Sequence, residues 1–330
     1  MSFKLASLTL AALVAASTPV TTLSVPIKEY DVPTPRSRPH DPALAPDGSL
    51  WYTGQGANKL GRLDPKTREF KEYPLKTPNS GPHGLVADKD GNIWFTAISG
   101  GYVGRLDPKS GAINEYRPPD GAKIDPHTPV FDHDGILWFT NEDTNYIGRL
   151  DPKSGAMTLA TVPTTHAVPY GIVVLPNNHP FFCEFGTNKL GTIDPKTMTV
   201  HEYALPNAEA RPRRIALAPD GTVFYTDFGR GYLGHFDPAA GKLVKEWPSP
   251  GGSGSEPYGV AITGDGAVWY SESGVKPNTL VRFDPKSESF STKQIPSGGG
   301  VVRNMVATPD GHLYLACSGV NKVAVVDTSR

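Results

Sequence analysis

Histidine and carboxylate side chains recur at fixed distances from a turn that is repeated along the chain. An upstream register lies seven residues before each turn and a downstream register seven residues after it. The upstream register is His40, His83, His127, Tyr170, Arg213, Tyr258 and Arg303, and the downstream register is Gly54, Ala97, Asn141, Glu184, Asp227, Glu272 and Cys317. Imidazoles that face carboxylates could hold a divalent cation or form an acid–base pair. Alternatively, the His and Tyr side chains hydrogen-bond neighbouring loops, and the carboxylates pair with Arg213 and Arg303.

The repeated turn is Asp-Gly or a close variant, and successive turns are 43 to 45 residues apart. The turns begin at Asp47, Asp90, Asp134, Asn177, Asp220, Asp265 and Asp310. An aromatic run, a run that ends in most repeats at Asp-Pro, and a further short run follow each turn, which predicts four short strands per repeat. Asp-Gly between extended runs predicts a type I′ hairpin. Seven such repeats predict an all-β, seven-bladed β-propeller with four-stranded blades.

The two ends of the chain complement each other. The segment 27–33 resembles the fourth strand of a repeat but precedes any first strand, whereas the last repeat, 305–328, lacks a fourth strand. We therefore expect the N-terminal strand to complete the last blade, which closes the ring and covers an open sheet edge.

The loops of the repeats divide into uniform and variable ones. The Asp-Gly turns and the Asp-Pro-Lys-Ser/Thr turns are nearly the same in every repeat and lie on one face of a propeller. The loops from strand four to the next strand one, and from strand two to three, vary and lie on the opposite face. We expect function on this variable face, where both registers converge on the central channel.

Composition excludes several classes of protein. The chain has 330 residues and a formal net charge of −1, so no basic surface for nucleic acid is expected.

Lys4 and the apolar run from Leu5 to Ala16 are typical of a signal peptide, residues 1–16, and the run is too short to span a membrane. We expect a periplasmic or secreted protein with one propeller domain, residues 17–330. Cys183 and Cys317 lie in separate repeats and are predicted to be unpaired, buried thiols.

One repeat carries a family resemblance. Pro82-His83-Gly84-Leu85, then Asp90-Gly91-Asn92-Ile93-Trp94-Phe95-Thr96, then Gly104-Arg105-Leu106-Asp107 resembles virginiamycin B lyase and its relatives. The resemblance covers nearly the whole mature chain and implies a seven-bladed propeller. It also implies Mg²⁺-dependent elimination that opens an ester: a base removes a proton next to the carbonyl while the metal stabilises the enolate oxygen.

The resemblance places the site in two ways. In direct register, Glu256 and Glu272 fall on metal positions of the family, whereas Arg213 and Tyr258 fall on its two His positions. A match rotated by three blades reproduces the pattern with His83, then Asp125-Pro126-His127, then Asn141-Glu142, if the last carboxylate slips by one residue.

We predict a lyase that acts on a small-molecule ester or lactone, as a monomer. The predicted catalytic residues are His83, His127 and His40; the predicted ligands of Mg²⁺, with Ca²⁺ as the alternative ion, are Glu256, Glu272 and Glu184; and the predicted substrate-binding residues are Tyr170, Arg213, Asp227 and Tyr258. The alternatives are a gluconolactonase-like hydrolase, in which a central divalent ion activates water, and a non-catalytic propeller that binds a ligand or a protein.

Overall fold

Short antiparallel strands make up the described part of the chain. The computed structural model describes residues 20–329, and the predicted signal peptide, residues 1–16, lies outside them. Blades one to three consist of Pro39–Leu44, Leu50–Gly54, Lys59–Leu63 and Phe70–Pro74; Pro82–Ala87, Ile93–Ala97, Tyr102–Leu106 and Ile113–Tyr116; and Pro126–Phe131, Leu137–Asn141, Tyr146–Leu150 and Met157–Thr161. Blades four and five consist of Pro169–Val174, Pro180–Glu184, Lys189–Ile193 and Val200–Ala204; and Pro212–Leu217, Val223–Asp227, Tyr232–Asp237 and Lys242–Pro248. Blade six contains Pro257–Ile262, Val268–Glu272, Thr279–Asp284 and Ser289–Gln294, and blade seven contains Val302–Ala307, His312–Cys317 and Lys322–Asp327. The predicted all-β, seven-bladed propeller is confirmed.

The ring closes as the sequence predicts. Ile27–Asp31 pairs antiparallel with Lys322–Asp327 and completes blade seven. The first strands of consecutive blades contact one another, and the first strand of blade seven contacts that of blade one, so they form the inner wall of the ring. One strand is not predicted: Val20–Thr22 pairs parallel with Ser289–Gln294, which makes blade six five-stranded.

Helical structure is confined to two short turns within residues 20–329. These 3₁₀ turns, Gln55–Ala57 and Ser318–Val320, follow the second strands of blades one and seven. No helix in this part of the chain has the length and hydropathy that a membrane span needs. Cys183 and Cys317 are free and buried, which confirms the prediction of unpaired thiols.

The Asp-Gly turns differ from the predicted type I′ hairpin. A type I′ turn needs positive φ at both central residues. In blade one, Gly48 N–H donates to Ala45 O, so Pro46 and Asp47 are the central residues, and neither has positive φ. Gly48 then adopts φ 81°. The type I′ prediction is wrong, because the hairpin loop is a residue longer and only its last residue needs the left-handed backbone that glycine tolerates.

A glycine on the third strand lies against an aromatic ring of the second strand in five blades. In blade three, a Cβ at Gly148 would lie 2.1 Å from Cζ of Phe139. The equivalent pairs are Gly61 with Tyr52, Gly104 with Phe95, Gly191 with Phe182 and Gly234 with Tyr225. In these five blades the glycine therefore leaves room for a large buried ring to cross the third strand, and a larger residue would overpack the contact.

We predict that Gly148→Ala lowers the free energy of unfolding by about 1–3 kcal/mol, because the added methyl overpacks the contact with Phe139. Chemical denaturation measures the change. Gly264→Ala is the matched control, since no heavy atom lies within 4 Å of a Cβ at that glycine. Equal stability of the two variants would contradict this account of blade packing.

Candidate active site

A β-bulge begins every inner strand and directs two successive residues of each blade toward the ring axis. In blade one, the register with the second strand shifts between Pro39 and Pro42, and the same shift occurs in all seven blades. The two bulge positions define two rings. The mouth ring is the upstream register, His40, His83, His127, Tyr170, Arg213, Tyr258 and Arg303, and the inner ring is Asp41, Gly84, Thr128, Gly171, Arg214, Gly259 and Asn304. Because bulges redirect side chains, both rings can converge on the axis, which a regular strand would not allow.

Hydroxyl groups on the second strands hold the bulges in place. Thr53 Oγ1 accepts from the N–H of Asp41 at 3.1 Å in its own blade and donates to the carbonyl of His83 in the next blade at 2.6 Å. Thr96, Thr140 and Thr226 make the equivalent pair of bonds. Ser271 accepts from the N–H of Gly259 and donates to the carbonyl of Val302, one residue before the mouth-ring Arg303. In these five blades the hydroxyls therefore satisfy backbone groups of the bulge and join neighbouring blades, whereas blades four and seven have Cys183 and Ala316 at this position.

Three imidazoles lie side by side along one arc of the mouth ring, with their ring planes tilted against each other by 41° to 46°. The ring centroids of His40 and His83 are 3.7 Å apart, those of His83 and His127 are 3.8 Å apart, and that of Tyr170 follows at 3.9 Å. Burial, together with nearby guanidinium groups, lowers the pKa of each histidine well below 6.5, so all three are neutral at pH 7. The structure thus brings together the three predicted catalytic histidines.

A buried ion pair crosses the inner ring below the imidazoles. Arg214 Nη2 of blade five donates to Asp41 Oδ1 of blade one at 2.9 Å, and the two side chains are 3% and 2% exposed. Asn304 Nδ2 donates to the other oxygen of Asp41, and Arg214 Nη1 donates to Thr128 Oγ1. The pair links blades one, three, five and seven through the axis.

Arg213, next to Arg214, lies in an aromatic cage. Its guanidinium carbon is 3.8 Å from the ring centre of Tyr258, 4.3 Å from that of Phe228, 4.5 Å from that of Phe185 and 4.9 Å from that of Tyr170. Its Nη2 donates to the Tyr170 hydroxyl at 3.1 Å, and this hydroxyl also contacts that of Tyr258. Three predicted substrate-binding residues therefore form one unit that holds a fixed positive charge at the mouth ring.

Glu142 lies over the last imidazole of the arc. Its Oε2 is 3.8 Å from His127 Nε2, a buried nitrogen that has no hydrogen-bond partner among residues 20–329. Burial and the neighbouring Asp143 raise the pKa of Glu142, against the opposing effect of Arg213. Asp125 accepts from the N–H groups of Asp143 and Thr144 and so fixes the loop that carries Glu142. Glu142 and His127 are thus a carboxyl–imidazole pair whose carboxyl is the more exposed member.

The downstream carboxylates bond to loops of their own blades instead. Glu184 accepts from Thr187 Oγ1 at 3.0 Å, and Asp227 pairs with Arg230 at 2.7 Å. Glu272 Oε1 accepts from Ser249 Oγ and Gly251 N–H, both at 2.6 Å. In the described chain, no hydrogen bond or ion pair joins them to the mouth ring, and their predicted pairing with Arg213 and Arg303 is wrong. Burial raises the pKa of Glu184 to about 8.

The comparisons with known proteins agree with this architecture. A family model described as the virginiamycin B lyase family matches residues 13–273. The chain belongs to the virginiamycin B lyase family.

Solved structures of streptogramin-lyase propellers share the fold. A streptogramin B lyase is 24% identical with a TM-score of 0.83, covering 92% of this chain and 97% of that one. A selenomethionine-substituted virginiamycin B lyase from Staphylococcus aureus is 22% identical with a TM-score of 0.83, covering 92% and 99%. A catalytically inactive variant of that lyase with quinupristin is 20% identical with a TM-score of 0.82, again covering 92% and 99%. No curated protein sequence matches the chain.

This member of the virginiamycin B lyase family departs from the residues that the resemblance implies. Arg213 and Tyr258 stand where the resemblance implies histidines, and Arg213 is held against the ring of Tyr258. A guanidinium does not act as a base at neutral pH, and a tyrosine hydroxyl is neutral there. At these two positions the chain therefore offers a fixed cation rather than an imidazole base.

Among residues 20–329, one group of three His, Cys, Asp or Glu side chains brings its ligand atoms close enough to hold a metal ion. The ligand atoms of His40, Asp41 and His83 lie within 4.8 Å of one another. Two imidazole nitrogens and one carboxylate suit transition metals, whereas Mg²⁺ and Ca²⁺ prefer oxygen ligands. Arg214 already holds Asp41 and repels a divalent cation. This group therefore does not fit Mg²⁺ or Ca²⁺. Glu184 is in blade four, so it does not join Glu256 and Glu272 of blade six in one cluster.

Asp41 and Arg214 are the residues that sequence reasoning missed. Each follows a member of the upstream register, and an alternating strand would point it away from the axis. The bulge that redirects them has no sequence signature of its own. The sequence does contain one sign of the bulges, a hydroxyl residue six positions after the turn in five repeats: Thr53, Thr96, Thr140, Thr226 and Ser271.

We predict that Asp41→Asn lowers the free energy of unfolding by about 3–5 kcal/mol, because it leaves the Arg214 charge buried and unpaired. Adding Arg214→Met should restore part of the loss, since it removes that charge. Chemical denaturation tests both variants. Glu288→Gln, which breaks an exposed pair with Lys245, is the control and should cost about 0–1 kcal/mol. A loss in Asp41→Asn no larger than in this control would disprove the role of the axial pair.

Proposed function

We propose that the chain is a lyase that eliminates across an ester or lactone of a small molecule bound at the mouth ring. The proposal rests on the position of Glu142, whose Oε2 lies 3.8 Å from His127 Nε2, a nitrogen with no hydrogen-bond partner among residues 20–329. Arg213, the cation held in the aromatic cage, belongs to the same mouth ring. Membership of the virginiamycin B lyase family supports the reaction class. The substitution of both implied histidines argues for a substrate other than a streptogramin.

Glu142 is the proposed base. A carboxylate with a raised pKa binds a proton more strongly than an ordinary one, which brings it closer to the optimum for a general base near neutral pH. Neutral His127 behind it can accept a hydrogen bond from Glu142 once the carboxyl is protonated. The present 3.8 Å separation is longer than a hydrogen bond, so a small rotation of the Glu142 side chain accompanies this step.

Arg213 is the proposed stabiliser of the developing negative charge. Glu142 takes the proton from the carbon next to a carbonyl, and the charge that develops on that carbonyl oxygen is met by the guanidinium. The electron pair of the broken carbon–hydrogen bond forms a carbon–carbon double bond as the ester carbon–oxygen bond breaks. The leaving oxygen keeps its electron pair and departs as a carboxylate. The aromatic cage holds Arg213 in position before substrate binds, which reduces the reorganisation that the reaction requires.

We propose Glu256 and Glu272 as the ligands of Mg²⁺, with Ca²⁺ as the alternative ion. Carboxylate oxygens suit both ions, and the bonds from Ser249 and Gly251 orient Glu272 through one oxygen. Burial raises the pKa of Glu272, and a nearby cation would offset that effect. A bound divalent ion would polarise a substrate carbonyl.

We also propose that the protein is exported and acts as a monomeric domain of residues 17–330. Lys4 and the apolar run that follows it support cleavage after Ala16. The mass of the protein recovered from the periplasm or medium tests this, since cleavage there leaves Ser17 as the first residue. A recovered protein that retains residues 1–16 would contradict it.

We predict that Glu142→Gln and His127→Ala each lower kcat/KM by about 10²–10⁴-fold on a turned-over ester or lactone. Because the base must be ionised, activity should fall as pH drops through the pKa of Glu142, which is raised above 4.5. Mass spectrometry and near-ultraviolet absorbance identify elimination by a new double bond without added water.

Two controls make this test decisive. Glu69→Gln and His133→Ala replace exposed residues of the same types and should leave turnover unchanged. Product that gains the mass of water would favour the hydrolase instead, and ligand binding without turnover would favour a binding propeller. In a separate experiment, elemental analysis of the protein before and after treatment with a chelator tests whether Glu256 and Glu272 hold a metal ion.

A further inference from the structure

A cationic cleft of about 500 Å³ adjoins the mouth ring between blades seven and one. Three arginines line it, Arg36 and Arg38 from the loop into blade one and Arg303 from the mouth ring. The remaining lining comes from residues 300–301 and 318–321, at the base of blade seven. The cleft is next to the imidazole arc, since Arg38 precedes His40 by two residues and the charge of Arg303 acts on His40.

The three guanidinium groups are not neutralised within the described chain. None of them forms an ion pair or a side-chain hydrogen bond with another residue of 20–329, whereas Arg62, Arg214, Arg230 and Arg282 all pair with carboxylates. Arg303 Nε is buried and has no partner among these residues. Like charges that face one cleft repel each other, so an anion between them would be stabilised by all three.

The loop that carries Arg36 and Arg38 is held in an unusual backbone conformation. Their φ angles are +55° and +52°, in the left-handed region that side chains other than Gly and Asn seldom adopt. Between them, Ser37 N–H donates to Asn321 Oδ1 at 2.7 Å, which ties the loop to blade seven. The equivalent positions have similar φ angles in blade two, where they are Asn79 and Gly81, and in blade four, where they are His166 and Val168. The conformation therefore recurs in the fold, and in blade one it carries two arginines to the edge of the mouth ring.

Glycines form the floor of the cleft. A Cβ at Gly300 would lie 2.7 Å from Cα of Gly319, and a Cβ at Gly319 would lie 2.7 Å from the carbonyl oxygen of Gly300. Two backbone segments therefore pack directly against each other at these glycines. Val301 and Val320 complete this part of the lining.

We propose that this cleft is a subsite for an oxyanion, a carboxylate or phosphate group of a small-molecule ligand. A guanidinium presents parallel N–H donors that match two oxygens of such a group. A ligand whose anionic group is bound between Arg38 and Arg303 would extend over His40 into the mouth ring. This proposal can be tested independently of the elimination reaction, because anion binding is measurable without turnover.

The test is calorimetric titration of the full-length protein with inorganic phosphate and, separately, with acetate, at fixed pH and ionic strength. We expect saturable binding of at least one anion, and the tighter of the two identifies the preferred group. Arg38→Gln and Arg303→Gln should each weaken binding at least tenfold. Arg38→Lys, which keeps the charge but not the paired donors, should fall between Arg38→Gln and the unchanged protein.

Arg62→Gln is the matched control, because it removes one positive charge from an arginine that pairs with Asp47 beside an Asp-Gly turn. It should bind anions as the unchanged protein does. Thermal melting of each variant verifies that it is folded. The proposal is overturned if neither anion binds saturably, or if Arg62→Gln weakens binding as much as Arg38→Gln.

Discussion

The bulge at the start of every inner strand is the constraint on which the rest of the structure depends. It directs two consecutive residues per blade to the axis, so seven blades supply fourteen positions in two stacked rings. The bulge leaves backbone groups that need partners, and in five blades a hydroxyl on the second strand bonds to them within and between blades. The same device therefore builds the site and links the blades that carry it.

The axial pair of Asp41 and Arg214 determines what the mouth ring can do. It neutralises one arginine in the interior and leaves Arg213 as the caged cation of the mouth ring. It also occupies the carboxylate that His40 and His83 would share with a metal ion. A guanidinium thus takes the position that a divalent ion would need, and the chemistry of the axis becomes that of neutral imidazoles beside fixed positive charge.

Pseudo-symmetry explains why one repeat can supply several different chemistries. The residue before the first strand is Arg38 in blade one, Asp125 in blade three and Glu256 in blade six. Its side chain faces the cationic cleft in blade one, whereas in blade three it fixes the loop of Glu142. Because the strands are held by repeated contacts, these loop residues can differ without altering the ring.

The sequence by itself determined the number of blades, the order of their strands, the closure by the N-terminal strand and the arc of three histidines. These follow from local periodicity and from turn residues, which act over a few positions. Only the tertiary structure decided which side chains meet across the axis. Asp41 and Arg214 are 173 residues apart in the sequence, and each reaches the axis through a bulge that the alternation of a regular strand does not reveal. The carboxylates of Glu184, Asp227 and Glu272 recur at the same distance from their turns, which predicts a second arc facing the histidines. In the structure each carboxylate instead bonds to a donor in a nearby loop.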